Sequence, residues 1–176
     1  MKDRPQVGAT LQSSAALQWL DEISTSNIIS SAILAVIHPE LYNAGRASLI
    51  HLRENAEFQH QDVDHVLNRW TSSFNGLSVI SNRRTPLHRD GGTRNHWYDL
   101  LITLGRYRNC NFELPGLGVS LDYRPGTVVG LSGMVVQHSV PACGKDRVCY
   151  AYFMRDNLHE WTGVSGKDWM RTTYYD

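Results

Sequence analysis

Between residues 13 and about 70 the apolar positions recur at helical spacing. Leu17, Leu20 and Ile23 follow Ser13 and Ser14, either of which can cap a helix. The stretch from Ile28 to Ile37 is so evenly apolar that helix and buried strand both stay open. Pro39 suits a first helical position, and Leu41, Ala44, Leu49 and Leu52 then share one face of a helix ending near Asn55. Asp62 can cap a short helix carrying Val63, Val66, Leu67 and Trp70. After Trp70 the pattern changes to short strand-like runs: Leu77 to Arg84, Trp97 to Leu104, Asn111 to Leu114, Val119 to Tyr123, Thr127 to Leu131, Met134 to Val140 and Arg147 to Met154. Turn signals separate them at Gly91-Gly92, Pro115-Gly116, Pro125-Gly126, Ser132-Gly133 and Cys143-Gly144. Many short strands at close spacing predict a sandwich, barrel or jelly roll.

The expected class is therefore α+β: a double-stranded β-helix (jelly-roll) core with an N-terminal helical layer. The 176 residues read as a single domain. It has a loose lead-in over 1–12, a helical layer over 13–75, the core with the candidate site over 76–160 and an aromatic tail over 161–176. Lys+Arg and Asp+Glu are both 17, so bulk charge gives no argument for nucleic acid or membrane. Distribution says more than the total. Arg83, Arg84, Arg89, Arg94, Arg106 and Arg108 face only Asp90 and Asp99 in that stretch, which fits an acidic partner or a solvated loop equally well. Cys110, Cys143 and Cys149 have neither a disulfide-framework nor a zinc-site spacing, and they predict a reducing compartment. The polar N-terminus predicts no signal peptide, and no apolar run reaches the roughly 18 residues of a membrane span.

The candidate chemistry lies in His88-Arg89-Asp90, with His138 50 residues after His88, followed by Arg147. Residues i and i+2 of a strand point to one face, so His88 and Asp90 can reach one metal while Arg89 points away. His138, on another strand, completes two imidazoles and a carboxylate, the set that holds a non-haem iron with open positions. Nothing at short spacing supplies the fourth ligand of a structural zinc site. Taken singly, His88 also reads as a loop histidine and His138 as a core histidine. The turn at 141–146 returns the chain, so Arg147 and Cys149 share a face beside the strand of His138, and a guanidinium fork matches a carboxylate.

Several longer runs carry a resemblance: NRRTPLHRDGG (82–92), HWYDLLITLG (96–105), LPGLG (114–118), YRPGTVVGLSG (123–133), QHSV (137–140) and DRVCYAYFMRDNLHE (146–160). Together, from Asn82 to Glu160, they resemble the TET/JBP family of nucleobase-modifying 2-oxoglutarate oxygenases, and most of all its fungal, transposon-associated branch. The resemblance implies that His88, Asp90 and His138 hold Fe(II) and that Arg147 binds the distal carboxylate of 2-oxoglutarate, with dioxygen as the oxidant. Cys149 stands where such enzymes often carry a serine, and Arg83 where the family can place a second co-substrate contact. Phe153 shares the strand face of Arg147 and can stack on a base. Arg155, next on that face, can touch a base edge or phosphate, and is equally well a solvated strand-end arginine. Asp99 and Arg94 are weaker substrate candidates, and Trp97, Tyr98, Tyr150 and Tyr152 read as core.

The implied reaction couples conversion of 2-oxoglutarate to succinate and carbon dioxide with hydroxylation of a methyl group on a flipped base. The leading substrate is 5-methylcytosine in methylated DNA. The alternatives are demethylation of 6-methyladenine by the same chemistry, a non-catalytic jelly-roll binding module, and a protein or small-molecule hydroxylase on the same fold. DNA as substrate implies a nuclear location; no protein partner and no membrane are expected.

Overall fold

A computed structural model describes residues 5–55 and 61–175 of the chain, without the side chains of Gln61, Asp62 and Tyr174. The capping expectation for Asp62 lies outside the described residues. The chain forms two compact units, 1–75 with 155–176 and 76–154.

In the first unit, α1 (Ser14–Glu22) starts at Ser13, whose hydroxyl accepts the Ala16 N–H at 3.2 Å. The open stretch at 28–37 is helical, within α2 (Ser24–Ile37). Its polarity is inverted: Asn27, Ser30, Ser31 and Leu34 are buried while Ile28, Ile29 and Val36 are exposed. That is why apolar periodicity did not decide it. Helix α3 (Pro39–Glu54) begins with Pro39 in its first turn, and the Nδ1 of His38 accepts the Leu41 N–H at 3.3 Å. Helix α4 (Gln61–Leu67) contributes Leu67, which packs with Leu52, Leu49 and Val63. Helix α5 (Asp156–Thr162) adds Leu158 and Trp161 to the same cluster. Residues 156–162, expected partly as core and partly as tail, form this helix instead. The lead-in includes a 3-10 turn over Ala9–Gln12, and the tail another over Thr172–Tyr175.

The second unit is built of eight strands: β1 (Gly76–Ser81), β2 (Thr85–His88), β3 (Asp99–Gly105), β4 (Asn111–Leu114), β5 (Val119–Asp122), β6 (Val128–Leu131), β7 (His138–Val140) and β8 (Arg147–Phe153). They form two antiparallel four-stranded sheets, in the orders β1-β8-β3-β6 and β2-β7-β4-β5. Apart from the β4–β5 hairpin, successive strands alternate between the sheets, the winding of a jelly roll. Central strand β3 is buried from Asp99 through Thr103. Leu101, Phe112, Tyr123, Val129 and Val140 fill the space between the sheets. Truncating an aromatic as buried as Phe112 typically costs about 3–5 kcal/mol.

One expectation is overturned here. Cys110 and Cys143 form a disulfide, with Cα atoms 4.9 Å apart across a separation of 33 residues. Spacing along the chain does not show this pair, because the fold brings together the segment before β4 and the turn before β8. Cys149 remains a free, buried thiol.

Candidate functional site

His88 closes β2 and His138 opens β7, where the two strands pair directly, His88 against His138. Asp90 lies two residues beyond the end of β2, its N–H donating to the Gly133 carbonyl at 2.9 Å. The Nε2 of His88 is 3.3 Å from Asp90 Oδ1, and that of His138 is 3.6 Å from Asp90 Oδ2. One donor atom from each of the three residues lies within 4.8 Å of the others.

Each imidazole is oriented by its own chain. The Nδ1–H of His88 donates to the Pro86 carbonyl at 2.9 Å, and that of His138 to the Val136 carbonyl at 3.0 Å. Both rings thereby turn Nε2 toward Asp90 and leave it for a metal, the orientation a metal ligand needs. Burial holds the His138 pKa below its ordinary value, against smaller raising effects from the Val136 carbonyl and Asp90. Phe112 stacks on the His138 ring at 5.5 Å and 11°. Two imidazoles and one carboxylate are the donor set that would suit Fe(II) with open positions.

Arg147 opens β8 and is 2% exposed. Asn82 grips its backbone from both sides: Oδ1 accepts the Arg147 N–H and the Asn82 N–H donates to the Arg147 carbonyl, each at 2.8 Å. Gly105, φ +123°, makes room for the preceding turn; a Cβ there would meet the Asp146 carbonyl oxygen at 1.8 Å. The Arg147 guanidinium lies over the Tyr123 ring, 5.3 Å from its centroid, and reaches the Arg83 carbonyl at 3.4 Å. Its Nε is buried without a partner. A buried cation with an unused donor fits a carboxylate ligand.

Cys149 lies two residues along the same face, its Sγ 3.5 Å from the Tyr123 hydroxyl. Burial raises the pKa of this thiol and, more strongly, that of the Tyr123 phenol. Both are neutral at physiological pH, so Arg147 faces no competing anion from them. Phe153 ends β8 with its ring laid across Gly76, whose Cβ would come within 2.1 Å of it.

The remaining candidates are less closely gathered. Arg83 is exposed, and it is its carbonyl that meets Arg147. Asp99 is 3% exposed and converges with Asp90 above Gly133. Arg94 lies over the Trp97 ring at 5.4 Å. Arg155 lies past the end of β8, in the helical unit, as the N-cap residue of α5. Its N–H donates to Asn75 Oδ1 at 2.7 Å. Trp97 and Tyr152 are fully buried; Tyr98 and Tyr150 are half-buried.

Tyr123, Phe112, Asn82 and Gly133 were not singled out from the sequence. Only Tyr123, Asn82 and Gly133 fall inside the family-like runs, and nothing local distinguishes them from their neighbours. Their contacts form between distant strands.

No curated protein matches the chain. A solved structure described as NgTET1 in complex with 5mC DNA shares the fold, with a TM-score of 0.62 at 16% sequence identity. The match covers 96% of this chain and 61% of that one, so this chain spans less than two thirds of that protein. Residues 8–156 match the Tet_JBP family, the oxygenase domain of the 2OGFeDO superfamily, whose members use Fe(II), 2-oxoglutarate and dioxygen. A match of that extent, over the strands that bring His88, Asp90 and His138 together, makes this chain a member of the TET/JBP family of oxygenases.

Proposed function

We propose that this oxygenase oxidises the methyl group of 5-methylcytosine in DNA. The observation that carries the reading is the face of β8, where buried Arg147 and Cys149 are followed in register by the half-buried ring of Phe153. A carboxylate-binding group and an aromatic platform on one strand face suit a co-substrate and a planar base. The fold shared with a protein solved in complex with 5mC DNA supports the same choice.

In this reading His88, Asp90 and His138 hold the iron. Arg147 takes the distal carboxylate of 2-oxoglutarate on its free Nε edge, with Cys149 alongside and Arg83 at the rim. Bound iron and 2-oxoglutarate supply the oxidation of a C–H bond by dioxygen, releasing succinate and carbon dioxide. Phe153 stacks on the base once it has left the duplex, because a stacked methyl group is out of reach. Asp99 and Arg94 are the candidates for contacts to the base edge and the backbone. The exposed Arg83, Arg84, Arg106 and Arg108 supply phosphate contacts, so affinity falls as salt rises. A nuclear location follows from DNA as substrate.

The test is the nucleoside profile by mass spectrometry after incubation with Fe(II), 2-oxoglutarate and duplexes carrying 5-methylcytosine or 6-methyladenine. The expected product is 5-hydroxymethylcytosine, with or without further oxidation. Loss of the methyl group from 6-methyladenine alone would move the substrate while keeping the chemistry. Turnover on a small molecule or protein, with neither duplex changed, would overturn the DNA reading.

A further inference from the structure

Gly133 is buried in the turn between β6 and β7. Its backbone does not lie in the left-handed region, so conformation alone does not require glycine there. Space does. A Cβ on Gly133 would fall 2.3 Å from Asp90 Oδ2 and 2.7 Å from Asp99 Oδ2. The two carboxylates meet over a bare Cα.

We propose that Gly133 is a positioning residue for the metal ligand Asp90. The inference rests on the assignment of His88, Asp90 and His138 to the metal. The Gly133 carbonyl accepts the Asp90 N–H and pins that backbone. An added methyl therefore meets the movable ends of two side chains. The chain relieves the overlap by turning the Asp90 carboxylate, with the fold kept and the ligand displaced. A carbon–oxygen contact settles near about 3.3 Å, so Oδ2, at 2.3 Å, must retreat by about 1 Å. Metal–ligand distances tolerate only about 0.2 Å, so a shift of that size takes the carboxylate out of ligand geometry and weakens binding. A glycine serving only the tightness of the turn would behave in the opposite way, costing stability and leaving the ligand in place.

The experiment uses the full chain without metal and reads two quantities, the Mn(II) dissociation constant and the melting temperature. Gly133→Ala is expected to weaken Mn(II) binding at least tenfold, within the range typical of groups that orient ligands, while melting within about 3 °C of the parent protein. Gly91→Ala is the control. It lies next to Asp90 with open space around its Cβ, and both readings should match the parent. Parental Mn(II) affinity in Gly133→Ala overturns the proposal. Should Gly133→Ala fail to fold, the pair Asp90→Ala with Gly133→Ala removes the closest overlap and is expected to melt like Asp90→Ala alone. If the pair also fails to fold, the overlap that matters is with Asp99 or within the turn and not with Asp90, and the proposal falls. Failure of the parent protein itself to bind Mn(II) would instead remove the metal-site reading on which this one stands.

Discussion

The candidate metal corner and the candidate co-substrate strand solve the same problem, fixing a side chain in space, by different means. His88, Asp90 and His138 sit at or beyond the ends of β2 and β7, strands of four and three residues with a register shift between them. Little ladder holds them. Backbone carbonyls of Pro86 and Val136 and the bare Cα of Gly133 do the orienting. Arg147 and Cys149 lie on β8, of whose seven residues six pair continuously with β1 on one side and six with β3 on the other. There the ladder sets the positions and the aromatic core carries the charge. A regular strand places groups along a line. Donors converging on a point need strand ends, where the chain is free to turn inward.

The sharpest way to break this contrast is to remove a ligand. His138→Ala or His88→Ala is expected to abolish turnover and to weaken metal binding by more than the roughly 10–100-fold typical of a supporting group. Succinate release and Mn(II) titration are the measurements, and undiminished activity in either variant would remove the metal corner from the mechanism.

The next effect concerns the tie between the two regions. The Cys110–Cys143 bridge joins the segment before β4 to the turn that feeds β8. Closing a loop of that length stabilises a protein by about 3–4 kcal/mol in the chain-entropy account. Replacing both cysteines by serine should lower the unfolding free energy from denaturant titration by that amount without reductant, and adding a dithiol to the parent should reproduce the loss.

Arg147→Lys sharpens the comparison from the other side. A lysine keeps the charge and loses the fork, so KM for 2-oxoglutarate should rise about 10–100-fold, corresponding to roughly 1.4–2.7 kcal/mol. At saturating co-substrate kcat should largely survive, and Mn(II) affinity should not change.

The smallest effect is on pH, where the two regions respond with opposite signs. His138 is buried with a lowered pKa, so below its ordinary value near 6.5 the unfolded chain takes up a proton that the folded chain refuses. The stability of the metal-free protein therefore falls with acid. Cys149 is buried with a raised pKa, so its contribution is full below about pH 8.5 and is lost as pH rises through the folded value. Urea midpoints across this range should fall at both ends, and Cys149→Ser should remove the loss between about pH 8.5 and 10.

These differences in construction also decide what could be read in advance. The face of β8 was legible because an uninterrupted ladder preserves strand parity. The same parity argument puts His88 and Asp90 on one face, although Asp90 is already past the strand. The run Met134 to Val140 reads as strand, yet only His138–Val140 pairs. The N–H groups of Val135 and Val136 both donate to the Ser132 carbonyl, making a turn of apolar residues that hydrophobicity disguises. Strand β2, Thr85–His88, was hidden by its length and by Pro86; it is an edge strand, where proline is tolerated. The disulfide and the roles of Tyr123 and Gly133 exist only between segments far apart in the chain. No local pattern encodes them.

The ring of His138 rests on Phe112, Phe112 meets Tyr123 edge-on at 5.3 Å, and Tyr123 carries the guanidinium of Arg147. Packed interiors do not compress or stretch easily, so this run of rings behaves as a ruler between His138 and Arg147. In the proposed reading, the span a dicarboxylic acid must bridge is set by Phe112 and Tyr123, the two core side chains between His138 and Arg147. Selection of co-substrate length is, in that reading, a property of the hydrophobic core.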